Sequence, residues 1–261
     1  MAADARGGFY LSDAPAGAIY RIGVDGTATV FVRLTGGIAR QAFGPDGTLY
    51  AVLPGAKKII AVSPQGHSRT LAESIAGREI VIMHDGAAYV SEPGAHRDMP
   101  SRVWRIKGSE KKVVDQGLAT ASGIAFSPDG NLFFAAEQTT KRVYSYVFQP
   151  DGSLRDKQPF YWLHQTDTPD DRGAEDLAVD THGSLYVATR MGIQVCDQNG
   201  RVRAILPLPA PSGPARSLCF AGGHFDVLYV TDGTRVFARR LKVRGFAPWA
   251  PVAAVPTQGP G

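Results

Sequence analysis

The chain has 261 residues, a formal net charge of +4, 44% hydrophobic residues and 20% charged residues, which is the composition of an ordinary soluble globular protein. Its apolar runs all fall short of the roughly 18 residues that a membrane-spanning helix needs, so we predict no membrane partner. The basic residues are scattered, apart from a short cluster at residues 239–244, so we predict no nucleic-acid partner. The N-terminal residues 1–4 show no secretory signal, which predicts a cytoplasmic protein if Met1 is the natural start.

Six segments of the chain each contain an apolar residue followed directly by an aromatic residue. In five of them a turn with a glycine precedes this pair. In chain order they are Gly7-Gly-Phe-Tyr10, Gly47-Thr-Leu-Tyr50, Gly86-Ala-Ala-Tyr89, Gly130-Asn-Leu-Phe133, Gly183-Ser-Leu-Tyr186 and Val227-Leu-Tyr229. The aromatic residues recur at intervals of about 40 residues, which is the period of propeller blades. A longer interval separates Phe133 from Tyr186.

Short strand-like runs flank each of these segments. The runs before the turns are Gln41-Ala-Phe43, Ile80-Val-Ile82, Ile124-Ala-Phe126, Leu177-Ala-Val179 and Leu218-Cys-Phe220. The alternating runs after them are Ile19–Ile22, Ile59–Val62, Val103–Ile106, Val143–Tyr146, Ile193–Cys196 and Val236–Arg239. Asp-Gly and Asn-Gly pairs then turn the chain again, as hairpins require. We therefore predict an all-β fold, a single six-bladed β-propeller over residues 1–261 with four-stranded antiparallel blades and no helix.

Two parts of the chain fall outside the repeat. The first blade is predicted to begin at its second strand, because no apolar run precedes Gly7. We therefore expect the C-terminal tail, residues 246–261, to close the ring and protect the sheet edges. The long interval contains residues 160–173, which we predict to be the end of the outer strand of blade four followed by a polar loop over one face.

Polar residues stand at the start of the innermost strands when those strands are aligned on their turns. The opening position holds Ala39, Arg78, Ser122, Glu175 and Arg216, and the next position inward holds Arg40, Glu79, Gly123, Asp176 and Ser217. Residues at equivalent positions of a propeller surround the same end of its channel, so we predict that these side chains line one mouth.

This ring of charges admits two interpretations. Arg78 or Arg216 paired with Glu175 would form an ion-pair network that holds the blades together. Alternatively, Glu175 or Asp176 acts as a general base while an arginine stabilises an oxyanion.

Several blade segments resemble those of the SMP-30/gluconolactonase/LRE family. They include Phe9-Tyr-Leu-Ser-Asp13, Ser122-Gly-Ile-Ala-Phe-Ser-Pro-Asp-Gly130, Leu177-Ala-Val-Asp180 and Gly183-Ser-Leu-Tyr-Val-Ala-Thr189. The resemblance implies hydrolysis of a lactone or related ester, with one divalent cation, Ca²⁺ above all, in the central funnel. Oxygen ligands suit such a hard cation, which polarises the carbonyl that water attacks.

The resemblance also assigns site residues, and here the chain departs from the family. The family's Asp corresponds to Glu175, and its Asn residues correspond to Ser122 and Arg78. Its first-blade Glu falls before Met1, although Gln258-Gly-Pro260 in the tail is similar to the segment that carries it. The resemblance thus leaves Glu175 and Ser122 as metal ligands, with few oxygen donors for Ca²⁺.

We therefore expect a lactonase or esterase-like hydrolase with a small-molecule substrate. Glu175, Asp176 and Arg78 are the expected catalytic residues, and Ser122, Arg40, Glu79 and Arg216 are expected to bind substrate. The alternative is a non-catalytic propeller that binds a small ligand or a partner protein through a degenerate metal site, because one propeller scaffold hosts many functions.

Overall fold

The computed structural model describes residues 1–94, 99–168, 171–209 and 212–250, and every regular element in these ranges is a β-strand. Blade one contains β1 (Ala2–Ala3), β2 (Phe9–Asp13), β3 (Ala18–Ile22) and β4 (Ala28–Arg33). Blade two contains β5 (Arg40–Phe43), β6 (Leu49–Leu53), β7 (Lys58–Val62) and β8 (Ser68–Glu73). Blade three contains β9 (Glu79–Ile82), β10 (Ala88–Glu92), β11 (Ser101–Lys107) and β12 (Glu110–Leu118).

The second half of the chain continues the pattern. Blade four contains β13 (Ala121–Phe126), β14 (Leu132–Glu137), β15 (Arg142–Phe148) and β16 (Leu154–Tyr161). Blade five contains β17 (Leu177–Val179), β18 (Leu185–Thr189), β19 (Gly192–Cys196) and β20 (Val202–Leu206). Blade six contains β21 (Ser217–Ala221), β22 (Val227–Thr231) and β23 (Val236–Arg240). The described ranges include no helix that is long and apolar enough to cross a membrane.

Each blade is an antiparallel meander in which consecutive strands are hydrogen-bonded. The innermost strands β1, β5, β9, β13, β17 and β21 contact one another in that order, and β1 also contacts β21. The ring of six sheets is therefore closed, and the predicted six-bladed β-propeller is confirmed. The described part of blade six has three strands instead of the predicted four.

The Asp-Gly turns explain why the same short motif recurs in successive blades. Gly47 in the first turn of blade two has a φ of +77°, a left-handed conformation that glycine adopts without steric cost. Its N–H donates to the carbonyl of Gly44 at 3.1 Å. The carboxylate of Asp46 accepts the N–H of Thr48 at 3.0 Å. One carboxylate and one glycine thus complete the turn between the first two strands.

The recurring aromatic residue connects four of the blades to a neighbour. The ring of Tyr10 lies 4.8 Å from that of Phe43 in blade two, and Tyr89 lies 5.1 Å from Phe126 in blade four. Tyr186 contacts Phe220 of blade six in the same way, with ring centroids 5.0 Å apart. The seam between blades six and one is joined by Phe9 stacked on Tyr229 at 4.1 Å. Edge-to-face and stacked pairs of this kind stabilise the interface beyond their buried area.

The start of blade one differs from the sequence-based prediction. We predicted that this blade lacks an innermost strand, whereas Ala2 and Ala3 form β1 and pair with Tyr10 and Phe9. That prediction was wrong because two alanines carry no hydrophobic pattern that marks a strand. The turn that follows them is held by Asp4, whose carboxylate accepts backbone N–H groups as Asp46 does.

The chain crosses the channel axis after β23, at the end away from the starts of the innermost strands. We call residues 244–250 the floor segment. The carbonyl of Arg244 and the N–H of Phe246 hydrogen-bond to blade five, and the N–H of Gly245 bonds to blade six. Phe246 packs against the cores of blades three to five, while Trp249 packs against those of blades one and two. The predicted closure by the tail falls partly outside the description, since residues 251–261 are not among the described residues.

Candidate functional site

The innermost strands begin at one end of the channel, and four of them bring a polar residue there. Arg40, Glu79 and Ser217 are the first residues of β5, β9 and β21, and Asp176 directly precedes β17. Because these strands are neighbours in the ring, their starts surround one opening. The structure thus brings the predicted polar residues to one mouth, in two layers.

The outer layer consists of an ion pair between blades three and five. A guanidinium nitrogen of Arg78 contacts a carboxylate oxygen of Glu175. The Glu175 residue is only 4% exposed, and a second Arg78 nitrogen lies 3.3 Å from the side-chain oxygen of Gln138. Burial lowers the pKa of Arg78 even though Glu175 opposes that shift. The predicted pairing of Arg78 with Glu175 is therefore present.

The inner layer consists of one arginine between two carboxylates. The Nε of Arg40 lies 2.9 Å from Glu79 and 3.7 Å from Asp176, both of which are buried. Asp176 also accepts the N–H groups of Leu177 and Leu218, at 2.8 and 3.0 Å. Its carboxylate thus connects β17 to β21 and has a structural role.

The inner layer has two acidic groups and one arginine, with the buried α-amino group of Met1 nearby, and this arrangement changes how Glu79 titrates. Burial is the largest effect, and together with the charge of Asp176 it raises the pKa of Glu79 to about 8, although Arg40 opposes the shift. A protonated Glu79 leaves Arg40 to balance Asp176 alone. Glu79 is therefore protonated below about pH 8, and the inner layer then holds one carboxylate charge instead of two.

The stability of the protein should depend on this proton. In an unfolded chain a glutamate titrates near pH 4.3, so between about pH 4.3 and 8 the folded protein holds a proton that the unfolded chain has lost. The free energy of unfolding should therefore fall as the pH rises through this window. Glu79→Gln should flatten that dependence in thermal melts from pH 5 to pH 8.5. Glu73→Gln, at an exposed glutamate of β8, is the control, and parallel curves for wild type and Glu79→Gln would contradict the assignment.

A small cavity opens above the outer layer. It has a volume of about 150 Å³ and is lined by Arg172, Gly173, Glu175, Arg190, Pro214 and Arg216. We call it the mouth cavity. Of the described residues, Glu175 is the one acidic group in its lining, and Arg216 lies there as the sequence predicted.

A second cavity lies below the inner layer, within the channel. Its volume is about 140 Å³, and Glu79, Asp176 and Gln41 line it together with apolar residues and the floor segment. Arg40 connects the two cavities. Its Nε contacts Glu79, which lines the second cavity, and its Nη2 donates to the carbonyl of Arg216, which lines the mouth cavity, at 2.7 Å. The two charged layers thus separate the mouth cavity from this second cavity, which we call the chamber.

Ser122 is placed differently from the other predicted residues. Its side chain is fully buried, and the hydroxyl group lies 2.8 Å from the carbonyl of Ala174 and 3.3 Å from that of Ala136. Ser122 therefore joins blade four to the segment before β17, and it does not line the mouth cavity. Its predicted contact with substrate stays a prediction.

The donor set at the mouth does not fit the divalent cation that the resemblance implies. Glu175 is engaged by Arg78, whose guanidinium repels a cation, and the Ser122 hydroxyl is directed at backbone carbonyls. Within the described ranges, no three His, Cys, Asp or Glu side chains are grouped to hold a metal ion. Calcium takes six to eight oxygen ligands, far more than the described residues of this mouth present.

A sequence profile described as the SMP-30/Gluconolactonase/LRE-like region matches residues 1–234. The chain belongs to this family. Among curated proteins, the pentonolactonase XacC of Haloferax volcanii is 25% identical over 121 residues. That match covers 46% of this chain and 40% of the relative, so less than half of the relative's length is compared.

Solved structures share the propeller fold of this SMP-30/gluconolactonase family member. A gluconolactonase from Xanthomonas campestris superposes with a TM-score of 0.79 at 21% identity, covering 91% of this chain and 83% of that one. A regucalcin from Agrobacterium tumefaciens, described as a calcium-binding protein, gives a TM-score of 0.76 at 15% identity, covering 93% and 89%. At these identities the likeness shows the fold alone.

Three residues of the two cavities were missed by the sequence analysis of this family member. Arg172 and Arg190 lie outside the aligned strand starts, one on the long loop and one after β18, so the blade register gave no signal for them. Gln41 did carry a signal, because the equivalent residues of the other blades, such as Ile80 and Leu218, are apolar. Its buried side-chain amide has no hydrogen-bond partner in the described part of the chain.

Proposed function

We propose that this protein hydrolyses a lactone or small ester in the mouth cavity. The observation that carries the proposal is the ion pair of Glu175 with Arg78 at the channel mouth, in which Glu175 also lines the mouth cavity. Family membership and the lactonases among its relatives support the same reaction class.

In the proposed reaction Glu175 is the general base and Arg78 stabilises the oxyanion. The carboxylate removes a proton from water as the water oxygen bonds to the carbonyl carbon of the substrate. The guanidinium of Arg78 donates to the carbonyl oxygen as that oxygen becomes negative. The intermediate then collapses, the ring or ester C–O bond breaks, and the protonated Glu175 returns its proton to the leaving oxygen. Water and lactone thus give one hydroxy acid, and the residues are regenerated.

The inner layer has a positioning role in this proposal. Asp176 and Glu79 line the chamber below the mouth, and Asp176 is committed to two backbone N–H groups. Arg40 holds both carboxylates and also the carbonyl of Arg216. We therefore propose that the three residues fix the strand starts on which Glu175 and Arg216 are mounted.

The test is hydrolysis of D-glucono-1,5-lactone and an aryl ester by the purified protein, before and after exhaustive treatment with EDTA. We expect turnover to persist in EDTA, because the oxyanion is stabilised by Arg78 and the donor set does not fit a divalent cation. Turnover that disappears with chelator and returns with Ca²⁺, Mn²⁺ or Zn²⁺ would contradict the metal-independent mechanism and restore the cation that the resemblance implies.

A second candidate is a non-catalytic propeller that binds a small ligand. The observation that favours it is the same ion pair, since a pair between strand starts of two blades can serve only to hold those blades together. Absence of turnover on every lactone and ester, together with saturable binding of a small molecule at the mouth, would favour this second function.

A further inference from the structure

Arginines are prominent in the described lining of the mouth cavity. Arg172, Arg190 and Arg216 lie in it, and among the described residues Glu175 is its one carboxylate. Glu175 is in turn paired with Arg78. The two exposed arginines, Arg172 and Arg216, therefore place positive charge on the described wall, and a concave surface with low-dielectric walls concentrates that field.

Two of the arginines are available to a ligand. Arg172 and Arg216 are exposed, and neither guanidinium makes an ion pair with any residue in the described ranges. A planar guanidinium fork binds a carboxylate or phosphate through two parallel hydrogen bonds, a geometry that a lysine does not offer.

The backbone that carries these arginines is fixed. Next to Arg172, the buried carboxylate of Asp171 accepts the N–H of Gly173 and the N–H of Thr166, each at 2.8 Å. Gly173 has a φ of +68°, and a Cβ there would lie 2.7 Å from Lys141, so the bend requires glycine. The loop therefore presents Arg172 from a defined position, which reduces the entropy lost on binding.

Arg216 is anchored in the same way from the opposite side. Its N–H donates to the carbonyl of Thr231 at 2.7 Å, and its own carbonyl accepts from Arg40 at 2.7 Å. Exposed arginines elsewhere, such as Arg203 and Arg239, lie on the outer strands β20 and β23. The arginines of the mouth differ from these because they converge on one cavity beside an acidic residue.

We propose that the mouth cavity selects an anionic lactone, one that carries a carboxylate or a phosphate group, and that Arg172 and Arg216 bind this group. The inference rests on the proposed function, because it assigns the substrate class of the same site. With the anionic group on the two arginines, the lactone carbonyl is directed toward Glu175 in the same wall and its ion-pair partner Arg78. The cavity volume of about 150 Å³ suits a small substrate of this kind.

The kinetic test compares three lactones: neutral D-glucono-1,5-lactone, D-glucaro-1,4-lactone with a carboxylate, and 6-phospho-D-glucono-1,5-lactone with a phosphate. We expect kcat/KM to be at least about tenfold higher for one of the anionic lactones, and that lactone identifies the anionic group. In the double variant Arg172→Gln/Arg216→Gln the ratio of anionic to neutral kcat/KM should fall about tenfold. Arg239→Gln, at an exposed arginine of an outer strand, should keep the wild-type ratio.

A binding measurement separates this inference from the proposed hydrolysis. Calorimetric titration with D-glucarate and with inorganic phosphate should show saturable binding by the wild-type protein and weaker binding by the double variant. If that binding is found without turnover of any lactone, the proposed hydrolase is wrong and the anion site stands. If lactones are hydrolysed with no preference for an anionic group, or with a ratio that the double variant leaves unchanged, the anion site is wrong and the hydrolase stands.

Discussion

Replacing Glu175 by glutamine should lower the kcat of lactone hydrolysis by at least about a hundredfold, because a positioned general base contributes about 10²–10⁴ to the rate. The amide has nearly the same shape and can still accept a hydrogen bond from Arg78, but it cannot take a proton from water. We therefore expect the fold to survive and the change to appear in kcat. Steady-state kinetics of the metal-free protein, with a thermal melt of each variant, measure both effects.

Glu110→Gln provides the matched control for this experiment. Glu110 is an exposed carboxylate on β12 that pairs with Arg105 on the adjacent strand. Strand β12 is the outermost strand of blade three, whereas the innermost strands surround the channel mouth. It should retain wild-type turnover. Wild-type turnover by Glu175→Gln itself would assign the base to another group and remove the central element of the proposed mechanism.

Replacing Arg40 by methionine should produce the largest loss of stability. Glu79 and Asp176 would then be two buried acidic groups without their arginine, and breaking a buried ion pair in this way costs about 3–5 kcal/mol. The loss should be greater at pH 8 than at pH 5, because protonation of Glu79 relieves part of the repulsion at the lower pH. Urea unfolding at the two pH values measures the difference.

Two further variants make this prediction specific. Arg40→Met/Glu79→Gln should be more stable than Arg40→Met at pH 8, since it removes one of the two unpaired acids. Arg69→Met, at an exposed arginine of β8, should change the free energy of unfolding little at either pH. An Arg40→Met variant as stable as wild type would show that the inner layer does not depend on this cation.

The repeating parts of the fold could be predicted from sequence because each blade repeats the same local chemistry. The left-handed glycine of the turn, the carboxylate before it and the aromatic residue after it occupy equivalent places, as at Gly47, Asp46 and Tyr50. Strand β1 escaped prediction because its residues have no such pattern. The short length of β1 is tolerated because β5 and β21 contact it on both sides.

The candidate site could be predicted only in part. Aligning strand starts identified Arg78, Glu175 and Arg216, because strand register determines which residues surround the channel. The alignment gave no information on rotamers, so it did not show that the Ser122 hydroxyl is directed at backbone carbonyls. Nor could it place Arg172, whose position depends on the irregular loop after β16.

The floor segment affects how the ring comes apart. The seam between blades six and one joins the two ends of the described chain, and covalent continuity does not hold it. Because the floor segment bonds to blades five and six while Phe246 and Trp249 pack under blades one to five, separating the seam also lifts these side chains out of the other blades. A local opening of blade six therefore also disturbs the packing of the other blades. We therefore expect amide hydrogen exchange to be slow and uniform around the whole inner ring.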